Sequence, residues 1–361
     1  MNRYWYLFLI LSAYYIFAPL FFIFDNMFSN SSIFLHEVNY LQKQRPELII
    51  FFNFISFILI FLTFFFLKHL LVDKINSSSV QLDYKFFFTL LIWISIFFLL
   101  LDFINIIKFY QLNYPNINRS LIYYGTLNKR MSHYFLLILL SVINFKNNKK
   151  LSYFCFLLII IFDLLTLSRI GIGLLFLLIF FTIFKKIKIN LKIFFYISII
   201  LHLIILYRFF LTNQPILYIL IEPLHVFLSS VKYFTNIFFS KNLHIVIYDN
   251  FIFILKDFFY FNLPINNLTK IDELPQYASR GSDFSIYYFL AAFLYLYIFK
   301  KLLNFFFISI DFNICIFVFL TFSLFRGHFV HNIGFIIKLY IVSIIASWLI
   351  RKVKLLLLKA G

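Results

Sequence analysis

Apolar residues in this chain come in long, nearly unbroken runs separated by short polar or basic stretches, without the two-residue alternation of a half-buried strand. A hydrocarbon core of about 30 Å takes roughly 20 such residues per helix. The runs therefore predict an all-α, polytopic membrane protein, a single integral membrane domain over 1–361 with about ten transmembrane helices. The predicted spans lie near 4–24, 48–71, 86–107, 131–145, 151–167, 170–184, 193–211, 284–299, 305–325 and 333–350. The first run, Trp5 to Phe24, lacks an A-x-A-like exit and predicts a retained span rather than a cleaved signal peptide. One stretch, 212–283, breaks the rhythm. Within it, Leu217, Leu220, Ile221, Leu224, Leu228 and Val231 recur at helical spacing around Glu222, His225 and Lys232. That pattern predicts an amphipathic helix lying on the membrane; an extra span or a re-entrant pair fits it as well.

Charge orients the predicted spans. Lys and Arg near span ends are retained in the cytoplasm. With the N-terminus inside, the compact basic clusters all fall on that side: Lys68 to Lys85, Lys146 to Lys150, Lys185 to Lys192, Lys300-Lys301 and Arg351 to Lys359. Both termini are then cytoplasmic, 212–283 is periplasmic, and the chain is placed in a bacterial inner membrane. Of the 14 acidic residues, all but Asp73, Asp83 and Asp311 fall outside or near outer span ends, and every proline but Pro19 does too. Polar chemistry thus gathers on the periplasmic face.

Composition narrows the class further. With 63% apolar and 13% charged residues, the solvent must be lipid. The net charge of +18 is spread over short inter-span clusters rather than a basic domain, which argues for membrane lipid as its partner and against nucleic acid. Cys155 and Cys315 sit singly in apolar runs, so neither a disulfide framework nor a zinc site is indicated.

Three glycines accompany arginines at predicted outer boundaries: Arg169-Ile170-Gly171, Arg280-Gly281 and Arg326-Gly327. Arg169 and Arg280 precede helix N-termini, where free backbone N–H groups favour an anion and a glycine lets backbone approach it. Guanidinium adds bidentate hydrogen bonds suited to phosphate oxygens. Such corners would bind a diphosphate; the bland reading is that interfacial arginines reach lipid headgroups. His328 and His331 flank the Arg326 corner and, being largely neutral at neutral pH, could take a proton from a hydroxyl. Glu222, His225 and Asp283 are further candidates for the base. Asp102, Asp163 and Lys338 are ionisable residues within spans and so are expected to be paired or functional; Asp163, six residues before Arg169, could orient it. Arg119, Lys129 and Arg130 surround Tyr123-Tyr124-Gly125, an aromatic group that fits an interfacial belt better than a sugar platform.

The corner Leu167-Ser168-Arg169-Ile170-Gly171, the long late external segment, and Ser279-Arg280-Gly281-Ser282-Asp283 leading into an aromatic span resemble the Wzy-type O-antigen and repeat-unit polymerases. That resemblance implies a glycosyltransferase of surface polysaccharide synthesis, acting on undecaprenyl-diphosphate-linked oligosaccharides. It implies no metal or other cofactor, and a chain-length regulator as partner. It would have Arg169 and Arg280 hold the diphosphate, while the roles of Arg326, His328 and His331 rest on the physical argument. The external segment lacks an Arg-x-Gly-rich signature of its own, which leaves the acceptor site open. Two other classes compete. A multi-span lipid-phosphate-sugar glycosyltransferase would use acids in the first external loop, where Asp25 and Glu37 stand without a tight acidic pair. A lipid-linked oligosaccharide flippase or transporter would place cations at mid-membrane and keep short loops on both faces.

Overall fold

The computed structural model describes residues 3–17, 46–73, 80–81, 84–113, 132–166, 168, 170–184, 286–326 and 329–360. Among these the architecture is helical: α1 (Arg3–Ser12), α2 (Pro46–Lys68), α3 (Lys85–Asn113), α4 (Ser132–Ile143), α5 (Lys149–Leu165), α6 (Ile170–Thr182), α7 (Ile286–Phe305), α8 (Ile310–Arg326) and α9 (Phe329–Ala360). Short π turns extend α1 to Phe17 and α2 to Asp73, and a 3-10 turn follows α4. Extended backbone is confined to the two-residue segments Val80–Gln81 and Phe306–Phe307. Three helical stretches are long and apolar enough to cross a membrane: Asn53–Val72, Lys85–Leu112 and Asn332–Val353. The 28 residues of Lys85–Leu112 reach roughly 42 Å at 1.5 Å per residue.

Local chemistry explains several ends. Pro46 opens α2, where its missing N–H costs nothing, with Glu47 in the first turn and Lys68 in the last, as the helix dipole prefers. Asn148 caps α5 by accepting the Leu151 N–H at 3.0 Å, and Ser309 caps α8 by accepting the Phe312 N–H at 3.1 Å.

Some predicted boundaries move. Lys300 and Lys301, expected in a connector, lie inside α7, and the next helix begins at Ile310 rather than 305. The last helix runs ten residues past the predicted end at 350, and α3 six past 107. Lys, Leu and Ala are good helix formers, so a basic cluster can end an apolar span without ending the helix. The predicted span 193–211, the segment 212–283 and the end of the first run lie outside the described residues.

The helices pack as two compact units, with α8 and α9 contributing to both. The first holds α1, α2, α7, α8 from Leu320 and α9 as far as Val342. Aromatic rings dominate it: Phe8 meets Phe57, Phe61, Phe64 and Phe325 at centroid distances of 4.8–5.9 Å. Phe299 meets Tyr340 edge-on at 5.5 Å.

The second unit holds α3 to α6, α8 as far as Phe319, and α9 from Ser343. Along α3, Phe88, Ile92, Leu99 and Ile106 are buried while Phe86, Trp93, Phe97 and Ile104 are exposed, so the helix is apolar on its packed face and on its open one. An open face of this kind suits contact with lipid. The polar groups of this unit sort to its two ends. At one end Lys146 pairs with Asp311 at 2.5 Å, Phe88 stacks on Phe312, and Thr182 Oγ1 meets Cys315 Sγ at 3.3 Å. At the other end stand Asp102, His133, Tyr134 and Asp163.

Candidate functional site

Asp163 lies in the last turn of α5, three residues before the chain turns into α6, and its side chain is fully buried. The carboxylate accepts two hydrogen bonds. Tyr134 in α4 donates its hydroxyl to Oδ1 at 2.5 Å, and the backbone N–H of Ile172 in α6 donates to Oδ2 at 2.7 Å. Bonds of this kind to an ionised acceptor are short and strong. One side chain therefore joins three helices.

Backbone bonds finish the corner. Thr166 donates its N–H at 2.9 Å and its hydroxyl at 2.8 Å to the Phe162 carbonyl, and Ser168 donates its N–H to the Asp163 carbonyl at 2.8 Å. The Leu165 carbonyl, one of the orphan acceptors at the end of α5, accepts the Tyr110 hydroxyl of α3 at 2.7 Å. Ser168 Oγ accepts the Ile170 N–H at 3.3 Å.

Two expectations are corrected here. The amides at the start of α6 were expected to be free for an external anion; Ile170 and Ile172 already bond Ser168 and Asp163, so the anion at this helix end is the protein's own. Gly171 was expected to admit backbone to a phosphate. Instead it admits Tyr134: a Cβ there would stand 1.6 Å from the Tyr134 hydroxyl and 2.5 Å from Cζ. Asp163 binds the residues on either side, Ser168 through its backbone carbonyl and Ile172 through its carboxylate. Arg169 itself lies outside the described residues.

One residue before Tyr134, His133 places Nε2 2.8 Å from Oδ2 of Asp102 on α3. Asp102 is buried, with a side chain 5% exposed, against 15% for His133. The Phe98 ring lies 6.0 Å from the imidazole, one turn before Asp102. Successive residues of α4 thus engage acids on two different helices, since neighbours on a helix point about 100° apart. This accounts for both acids expected to be paired or functional within spans.

In the first unit, Arg326 ends α8 and is only 6% exposed, its Cζ 5.4 Å from the centroid of the Phe322 ring. That distance is within cation–π range. Asn332 in the first turn of α9 donates to Ser323 Oγ at 2.7 Å, tying α9 to α8 beside the arginine. A guanidinium enclosed in this way is packed into protein rather than extended toward headgroups. His331 falls in the first turn of α9, with its side chain outside the described residues. Arg280, Gly281, Asp283, Glu222, His225, Gly327 and His328 lie outside them entirely. Lys338 is half-buried in α9.

The chain matches no protein-family model, no curated protein and no solved structure. Its site is therefore read from its own geometry. Among the described residues no three His, Cys, Asp or Glu side chains come together as metal ligands would.

His133 is the residue that sequence reasoning passed over. The available signal was depth: Asp102 nears the outer end of one predicted span and His133 opens the next, so two antiparallel neighbours bring them level.

Proposed function

We propose that this chain is an inner-membrane polymerase joining undecaprenyl-diphosphate-linked oligosaccharide repeat units on the periplasmic face, in the manner of the O-antigen polymerases. About ten spans, with both termini in the cytoplasm, complete the reading. The observation that carries it is the Asp163 corner. A fully buried carboxylate bonded to Tyr134 and to the start of α6, with its own backbone carbonyl taking the Ser168 N–H, fastens the described residues on either side of Arg169 in the sequence.

In this reading Arg169, Arg280 and Arg326 hold the lipid diphosphate, with Gly281 and Gly327 beside them and Asp283 and Asp163 as supports. The reaction needs little else. The lipid diphosphate leaves with the electron pair of the anomeric C–O bond, its charge stabilised by guanidinium, while a base accepts the proton of the attacking sugar hydroxyl. His328, His331 and Glu222 are sequence candidates for that base. Neither a nucleotide sugar nor a metal is required by this chemistry.

The test is genetic. A host deleted for the gene is complemented with wild type, Arg169→Ala, Arg280→Ala or Arg326→Ala at matched membrane levels, and its surface polysaccharide is run on a gel. Loss of the long-chain ladder with a single capped repeat retained is the expected result. Absence of any repeat at the surface would favour a flippase, and an unchanged ladder in all three variants would remove the arginines from the site.

A further inference from the structure

We infer that His133, oriented by the buried carboxylate of Asp102, is the proton acceptor for the sugar hydroxyl that attacks the lipid-linked donor. This inference rests on the polymerase reading and adds to it a base that the sequence did not single out.

The geometry argues as follows. In the tautomer that carries its ring proton on Nε2, His133 donates it to Asp102 Oδ2, 2.8 Å away. Nδ1 is then the nitrogen with a lone pair, the form a general base needs. A buried acid fixing the tautomer and the ring plane, and stabilising the imidazolium that forms, is the arrangement that makes a histidine an effective base. Exposure is graded in the same sense, the Asp102 side chain being 5% exposed and the His133 side chain 15%.

The surroundings leave this pair distinct. On α3 the facing groups are Asp102 and the Phe98 ring. On α5 the acid at this end is Asp163, engaged with Tyr134 and Ile172. The residues of α6, Ile170–Thr182, include no titratable side chain. The dyad also stands one residue from Tyr134, the side chain that fastens the Arg169 corner. Base and mounting therefore share the first turn of α4.

The step balances without a further reactant. His133 Nδ1 takes the proton of the acceptor hydroxyl as its oxygen forms the new glycosidic bond to the donor's anomeric carbon. The bond from that carbon to the diphosphate oxygen breaks, and the electron pair leaves with the lipid diphosphate. The imidazolium then returns its proton to water or to the departing phosphate. His133 is the catalytic residue in this scheme and Asp102 a positioning residue.

The experiment uses the purified full chain in lipid, with lipid-diphosphate-linked repeat units extracted from a host deleted for the gene, and follows polymer formation in wild type, His133→Ala and Asp102→Asn. Detergent melting curves and gel-filtration profiles establish that each variant is folded. The expected result is a fall of about 10²–10⁴-fold in kcat for His133→Ala, partial recovery of that variant by added imidazole, and none for Asp102→Asn, whose kcat falls with KM little changed. Polymer from wild type with His133→Ala within a few-fold of it, or a folded His133→Ala that imidazole does not restore, overturns the dyad and leaves the polymerase reading standing. A folded wild type that joins no repeat units overturns both.

Discussion

Tyr134 and Asp163 meet at 2.5 Å, hydroxyl to carboxylate, and the same tyrosine ring fills the space that a side chain at position 171 would need. One residue thus fixes the α5–α6 corner twice, by a hydrogen bond and by volume.

Removing only the hydroxyl separates the two effects. Tyr134→Phe leaves Asp163 with the Ile172 N–H but without the tyrosine hydroxyl, and should lower stability by about 1–3 kcal/mol, the usual cost of stranding part of a buried acceptor. Melting in detergent, followed by tryptophan fluorescence, measures it. A variant as stable as wild type would show that the bond contributes nothing.

Gly171→Ala should cost about 1–3 kcal/mol through overpacking, and Tyr134→Phe should fail to relieve it. The ring carbon Cζ still stands 2.5 Å from the added Cβ after the hydroxyl is gone. Tyr134→Ala, which empties the space, should restore tolerance of alanine at 171 although it is destabilising alone. A double-mutant cycle by thermal melting reads the coupling, and additive costs for Gly171→Ala and Tyr134→Ala would refute the steric account.

The ion pair at the opposite end should matter much less. Lys146 is 71% exposed and faces Asp311 across a solvated edge, so Lys146→Ala should change stability by less than about 1 kcal/mol. A shift in melting temperature as large as that of Tyr134→Phe would mean the pair is less solvated than its exposure indicates.

Sidedness is open to labelling. Cys155 and Cys315 are buried thiols outside any disulfide, which makes the wild-type chain a quiet background for a membrane-impermeant maleimide. Cysteine at Asn147, beside the basic end of the second unit, should react only after the inner membrane is broken. Cysteine at Asn118, in the stretch between α3 and α4 that the sequence predicts to be external, should react in intact spheroplasts. The opposite pattern would invert the orientation taken from the basic clusters.

Much of the helical layout was legible because long apolar runs mark helices, and runs such as 48–71 and 333–350 coincide with Pro46–Lys68 and part of α9. Helix ends were less so, since charge marks where lipid stops, and Lys300 and Lys301 show that a helix can carry charge past that point. Asp163 stood out in the sequence as an ionisable residue within a predicted span, expected to be paired or functional. Its real contacts, Tyr134 at a separation of 29 residues and the Ile172 N–H, depend on which faces of three helices meet. The His133–Asp102 pair was hidden for the same reason, because an apolar run shows no phase and gives no register between neighbours.

The final helix carries its regularity from Phe329 to Ala360, well beyond the apolar stretch that ends at Val353, and Lys352 closes over Trp348 at 4.1 Å near that exit. A protein fused at the end would therefore ride on a stiff rod instead of a loose tether. Each residue added or removed in the junction would swing it by about 100° around the axis, so the distance between two fluorophores attached there and at a fixed point should oscillate with linker length.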